Sequence, residues 1–266
     1  FDLTGRCAVV TGGAGIIGPH LAAALADFGA RVAVVDLDGA KAEEVAEALR
    51  ARGRDQPHLG VACDVGDPGS VAAMAEWVED ALGPVDILIN NAASKGTSLG
   101  SFFAPVEDFS LDTWREIASV NLDGMFLVAQ AIGGRMARRG RGSIVQTASI
   151  YALVGPDQRI YDGSDYMGRP INTPPVYPAT KAGVIGLTRH LATYWGSQGV
   201  RVNCLAPGGV ASGQNDTFQQ RYSARVPLGR MAKAEEMAGA VVYLASDAGS
   251  YVTGQVLFVD GGFTAK

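Results

Sequence analysis

Strand-length apolar segments alternate with segments of helical period along nearly the whole chain, and that alternation constrains the fold more than any other feature. The pattern predicts strands at 7–10, 31–35, 59–63, 85–89, 143–146, 201–205 and 255–259. Between them, helical spacing runs over 17–28 (stopped by Gly29), 40–50, 71–82, 112–138, 177–196 and 234–246. Antiparallel strands can be joined by tight turns, whereas parallel ones need crossovers of this length. The expected architecture is therefore α/β: a doubly wound, seven-stranded, mostly parallel sheet with helices on both faces and right-handed crossovers.

The chain's 266 residues suffice for one large domain over 1–266 with a sizeable core. The formal net charge of −5, with no basic run, argues against nucleic acid as a partner. No apolar stretch approaches the roughly 20 uninterrupted residues a membrane span needs. No signal-peptide pattern opens the sequence, and because Phe1 stands where an initiator Met would, a few leading residues are expected before it. Cys7, Cys63 and Cys204 form no C-x-x-C pair and read as buried thiols of a reducing cytoplasm. His20, His58 and His190 lack ligand spacing and are expected on helices or the surface; no metal is expected.

The first chemical motif is Thr11-Gly12-Gly13-Ala14-Gly15-Ile16-Ile17-Gly18, placed after a strand and opening a helix. There glycines allow a tight turn and close backbone approach, and the helix N-terminus offers N–H groups to a pyrophosphate. Asp36 ends the second strand, where a carboxylate can bond an adenosine ribose and repel a 2′-phosphate, favouring NAD over NADP. Asp36 and Asp38 both precede a helix, so an N-cap is the competing reading. Asp64-Val65 and Asn90 close the next two strands at the same crevice.

Tyr177 and Lys181 lie four residues apart in a predicted helix, on one face. An ordinary phenol is a poor base at neutral pH, and a nearby positive charge favours its ionised form. Such a pair can take a proton from an alcohol or return it.

These motifs, with Asn90-Asn91-Ala92-Ala93, Asn121, Ser149, Pro207-Gly208 and the ending Asp260-Gly261-Gly262, resemble the short-chain dehydrogenase/reductase family over essentially the whole chain. The resemblance is to its classical, sugar/polyol-dehydrogenase-like members and implies a Rossmann-type fold. It implies Tyr177 as general acid/base, Lys181 lowering its pKa and binding the nicotinamide ribose, Ser149 holding the substrate oxygen, and Asn121 positioning a relay water. It also implies an NAD site made by Gly12, Gly15, Ile16, Ile17 and Gly18, by Asp36, Leu37, Asp64 and Val65, and by Asn91, Ala92 and Ala93. Tyr177, Lys181, Pro207, Gly208 and Val210 would complete it around the nicotinamide. A homotetramer (or homodimer) is implied as well. Taken singly, Asn121 could merely bond backbone and Ser149 could cap a turn.

Two features depart from the family pattern. The glycine turn reads T-G-x-x-G-x-x-G, with Ile16 in the usual place of the middle glycine. Tyr177 follows Ser149 by 28 residues, roughly twice the usual separation, the excess being a Pro/Gly-rich insertion at about 155–176. That insertion is expected as a loop beside the substrate pocket, with packing at a subunit surface as the alternative. Its polar content, and that of the lid at 211–227, suits a hydroxylated substrate. Lys95, Arg159 and Arg169 could pair with an anionic group, and Ser149, Tyr151 and Tyr177 complete the expected substrate set. The expected function is NAD-linked oxidation of a secondary alcohol, or the reverse, on a sugar, polyol or acidic sugar derivative. The alternatives are a 3-oxoacyl or other keto-intermediate reductase and a non-catalytic NAD-sensing protein.

Overall fold

The computed structural model describes residues 1–52, 56–166 and 168–265. Its main sheet is assembled from β1 (Cys7–Thr11), β2 (Arg31–Asp36), β3 (Leu59–Ala62), β4 (Ile87–Asn90) and β5 (Gly142–Thr147). Two later strands, β8 (Val200–Pro207) and β9 (Val256–Val259), complete it, while β6 (Asp165–Tyr166) and β7 (Arg169–Pro170) pair separately. The order is β3-β2-β1-β4-β5-β8-β9 and every pairing within the sheet is parallel. The chain winds outward from β1 in one direction and from β4 in the other, so a crevice opens between them at the strands' carboxyl ends.

Alternation along each strand sorts its side chains between two cores. Cys7, Val9, Ala33 and Val35 face a core shared with Val128, Ile132, Leu191 and Trp195. Ala8, Val10, Val32 and Val34 face the other, with Leu21, Leu25, Val241 and Leu244. Because both faces are covered, these strands are continuously apolar and rich in β-branched residues.

Helix starts carry the chemistry that stops the backbone from running on as strand. Asp38 caps α2 (Gly39–Arg50) by accepting from the Lys41 N–H at 3.2 Å. Asp67 caps α3 (Pro68–Leu82), with proline in the first turn. By contrast α1 (Gly18–Asp27) has Ile17 at its N-cap, with no side-chain hydrogen bond. A short α4 (Leu99–Phe102) precedes α5 (Leu111–Ala118), which continues through α6 (Met125–Val128) and α7 (Gly134–Arg139) as one rod interrupted by π-helical turns at Ser119–Gly124 and Ala129–Gly133. Then come α8 (Val176–Trp195), α9 (Asp216–Ser223) and α10 (Ala238–Ala245).

One expectation gains a detail and two need correction. The rod Leu111–Arg139 spans 29 residues and contains an 18-residue window of mean hydropathy 1.3, long and apolar enough by composition to cross a membrane. Its apolar residues Ile117, Met125, Val128, Ile132 and Met136 are instead buried inside the protein, as in a core helix. His58 is neither on a helix nor at the surface: it is buried, and its Nδ1 accepts the Val32 N–H at 3.1 Å. Burial lowers its pKa, and Arg50 adds to the effect. The insertion is also not plain loop, since it contains a 3-10 turn at Gln158–Tyr161 and the β6–β7 pair. The three cysteines are free and buried.

Candidate active site

One cleft of about 650 Å³ runs along the carboxyl ends of β1, β2, β4, β5 and β8. Its first end is built on the glycine turn. The Thr11 hydroxyl donates to the Asn90 carboxamide and accepts the N–H groups of Asn91 and Ala92, locking β1 to β4. Asn91 Nδ2 donates to the carbonyls of Thr11 and Gly12, both at 3.2 Å. At Gly12, whose φ is +60°, a Cβ would stand 2.8 Å from Ala92 Cα. At Gly18 it would stand 2.2 Å from the Gly12 carbonyl. Gly18 is buried and is not among the residues lining the cleft; its lack of a side chain lets α1 pack onto the turn. Gly15 differs, because a Cβ there would meet only the Gly12 carbonyl, at 3.3 Å, on the cleft side.

The donors at this end fit a dinucleotide. Ile16 and Ile17 line the cleft, and their backbone N–H groups have no hydrogen-bond partner among the described residues, beside the uncapped start of α1. Asp36 accepts the Ala14 N–H at 3.0 Å and the Asp38 N–H at 3.3 Å, so its carboxylate braces the turn while facing the cleft. The N-cap role belongs to Asp38. Leu37, Asp64, Val65, Ala92 and Ala93 line the same end, and Pro207, Gly208 and Val210 line the middle.

At the other end, β5 delivers Ser149 and α8 delivers Tyr177 and Lys181, all three lining the cleft. Ser149 Oγ accepts the Tyr151 N–H at 3.2 Å, capping a 3-10 turn. Burial raises the Tyr177 pKa, and the Ser149 hydroxyl opposes that shift. Lys181 is 2% exposed; its ammonium donates to the Thr147 carbonyl at 2.9 Å and sits 5.9 Å from the Tyr177 ring centroid. Desolvation lowers its pKa to about 8. The expected lowering of the phenol by Lys181 is not seen in the direction of the Tyr177 shift, of which burial is the largest cause.

Asn121 is fully buried inside the first π-helical turn and does not line the cleft. Its Oδ1 accepts the Ser94 N–H at 2.7 Å and its Nδ2 donates to the Ser94 carbonyl at 3.2 Å, clamping the loop that follows β4. π-bulges of this kind recur at functional sites.

The expected basic clamp is only partly present. Lys95 lines the cleft. Arg159 does not: it is bound to Asp157, with 80% of its side chain exposed. Arg169 also stays out, exposed on β7 and turned towards Gly100. Pairing with a neighbouring carboxylate costs Arg159 less than reaching across an apolar wall.

That wall went unseen in the sequence. Phe102, Tyr151, Tyr161, Phe218, Tyr222 and Met231 line the cleft above Tyr177. Tyr161 stacks on Phe218 at 5.4 Å and Phe218 on Tyr222 at 5.8 Å, joining the insertion to the lid helix α9. The polar residues that seemed to define the insertion face outward or bind one another, as Asp157 does with Arg159 and Arg225. One signal was available: Phe218 and Tyr222 are four apart after Asn215, which caps α9 by accepting the Phe218 N–H at 2.9 Å.

Comparison with known proteins agrees with this geometry. A family model described as enoyl-(acyl carrier protein) reductase matches residues 12–264. D-threitol dehydrogenase of Mycolicibacterium smegmatis is 40% identical, over 100% of this chain and 95% of that protein. Gluconate 5-dehydrogenase of Gluconobacter oxydans is 37% identical, over 100% and 97%. The crystal structure of a gluconate 5-dehydrogenase from Burkholderia cenocepacia J2315, in complex with NADP and tartrate, superposes with a TM-score of 0.85 at 34% identity. That match covers 100% of this chain and 97% of the other. With a Rossmann-type sheet, a glycine turn at its switch point and a Ser-Tyr-Lys set across the same cleft, the chain belongs to the short-chain dehydrogenase/reductase family, as an oxidoreductase of its classical type.

Proposed function

We propose that this protein oxidises a secondary alcohol of a sugar, polyol or acidic sugar derivative with NAD, or runs the reverse reduction. The observation that carries the reading is the joining of Ser149, Tyr177 and Lys181 to the glycine turn by one continuous cleft. Bound there, the nicotinamide cofactor would supply the hydride acceptor. Tyr177 takes the hydroxyl proton, or returns it to a carbonyl, and is the catalytic acid/base. Ser149 can donate to a carbonyl and accept from an alcohol, so it orients the substrate oxygen in both directions. Lys181 binds the nicotinamide ribose and supplies positive charge beside the phenolate. Asn121 acts through Ser94 by fixing the floor of the site.

Gly12, Gly15, Ile16 and Ile17 would hold the pyrophosphate, and Asp36 the adenosine ribose. A carboxylate at that point favours NAD, although two solved relatives hold NADP. The substrate class follows the named activities of the relatives on threitol and gluconate. The protein is taken to act in the cytoplasm as a homotetramer, with 1–266 as one catalytic domain. The apolar wall of Phe102, Tyr151 and Phe218 favours a second reading, a 3-oxoacyl reductase.

The test is cofactor absorbance on a panel of polyols, aldonic acids and 3-hydroxyacyl thioesters, with NAD and with NADP. Turnover confined to sugars and their acids supports the first reading. Turnover confined to thioesters moves the protein to the second, and a silent panel despite cofactor binding overturns both.

A further inference from the structure

One cation at the Tyr177 end of the cleft stands ready without a counter-charge. The carboxylates lining the cleft are Asp36 and Asp64, both at the glycine-turn end. Around Tyr177 the polar lining among the described residues includes Ser94, Lys95, Ser149, Ser212 and Gln214 and contains no acid. Lys181 is spent on the Thr147 carbonyl. Lys95 makes no ion pair among the described residues; its ammonium lies over the Tyr166 ring, 4.8 Å from the centroid. Two acids close by in the fold or sequence, Glu116 beside Gly96 and Asp165 next to Tyr166, already accept other hydrogen bonds. Glu116 accepts the Thr97 N–H at 2.7 Å, and Asp165 accepts from Asn215 and from the Gly168 N–H.

The backbone under Lys95 is fixed on both sides. Asn121 clamps Ser94 through two hydrogen bonds, Ser94 Oγ accepts the Gly96 N–H at 2.9 Å, and Glu116 holds Thr97. Tyr166 is held as well, on β6 and edge-to-face with Phe103, the ring centroids 6.3 Å apart. A long side chain presented from a rigid loop and steadied by a cation–π contact loses little freedom when an anion arrives.

We propose that Lys95 is the specificity-determining residue that receives a carboxylate of the substrate, that Tyr166 of the insertion positions it, and that the enzyme prefers a hydroxylated acid to the neutral polyol of equal length. This rests on the reading that the cleft takes a sugar-derived alcohol. It gives the insertion a task its arginines do not perform.

The experiment is calorimetry on the cofactor-saturated protein with tartrate and with threitol, the same four-carbon skeleton with and without carboxylates. Tartrate is expected to bind at least about tenfold more tightly. Lys95→Met keeps the apolar stem, removes the charge, and should abolish that preference while threitol binding stays unchanged. Added salt should weaken tartrate in the wild type and not in Lys95→Met. Tyr166→Leu should weaken tartrate alone, and Tyr166→Phe, which keeps the ring, should restore it. Equal binding of the two ligands, no binding of tartrate, or a Lys95→Met protein that keeps the preference overturns the proposal. Because the readout is binding, it stands apart from the turnover panel, whose silence would overturn the functional reading alone.

Discussion

The two ends of the cleft are made of different material. At the glycine turn the walls are backbone and strand termini: Gly12, Gly15, Asn91, Ala92 and Gly208, fixed by hydrogen bonds between neighbouring strands. Above Tyr177 the walls are aromatic side chains brought from the post-β4 region, the insertion and the lid, held by ring stacking and a few polar contacts such as Asn172 to the Phe103 carbonyl. The first end has little freedom to change without breaking the sheet. The second can be rebuilt by altering loops while the strands stay put.

The sharpest way to separate the ends is at the chemical junction. Tyr177→Phe is expected to lower kcat by about 10²- to 10⁴-fold, with cofactor affinity nearly unchanged by fluorescence titration. Retained turnover would remove Tyr177 from its role. Next, Gly18→Ala puts a Cβ 2.2 Å from a carbonyl and should destabilise by about 1–3 kcal/mol in denaturant melts. Gly15→Ala meets only one atom, at 3.3 Å, and should leave the melt alone while weakening the cofactor. Identical behaviour of the two glycines would erase the distinction between packing and binding within the turn. Asp36→Asn should move the NAD/NADP preference towards NADP by about tenfold in kcat/KM; an unchanged ratio would show that the ribose is read elsewhere. The smallest effect is expected at the substrate wall. Phe218→Ala loses two ring contacts and should raise substrate KM by about 2- to 10-fold, leaving cofactor affinity intact.

The pH dependence has a definite sign. Burial raises the Tyr177 pKa, so the phenolate needed for oxidation grows with pH, and oxidation should accelerate through the alkaline range while reduction favours lower pH. Lys181 has its pKa lowered to about 8 from 10.5, so the folded state binds fewer protons there than the unfolded chain. Its charging cost is therefore fully present below about 8 and lifts as pH rises towards 10.5, adding stability with pH in that window. Lys181→Met should flatten that part of the stability profile; an unaltered slope would place its origin elsewhere.

Several features could be read directly from the residues. The seven sheet strands, the turn after β1, and the Tyr177–Lys181 pair on one helix face depend on local periodicity and short spacing, which a linear string displays. The insertion was visible as an interruption, but its inward face was not. Composition counts Asp157, Arg159 and Arg225 as polar lining, whereas in three dimensions they bind one another and leave Tyr161 to face the cleft. Gly18 is expected at the cofactor and Asn121 at a relay water; the structure adds a packing task for the first and a clamp on Ser94 for the second.

What the sequence by itself determined is the doubly wound sheet, the switch-point crevice and the identity of the groups that meet there, because these follow from chain-local alternation and turn chemistry. Only the tertiary structure decided which polar groups are already satisfied by neighbours distant in the chain. That accounting leaves Lys95 over the Tyr166 ring with no ion pair among the described residues, while Arg159 and Lys181 are committed to Asp157 and the Thr147 carbonyl. The reason is physical: the cost of burying or pairing a charge depends on who stands beside it in space, and that partner can be any distance away in sequence.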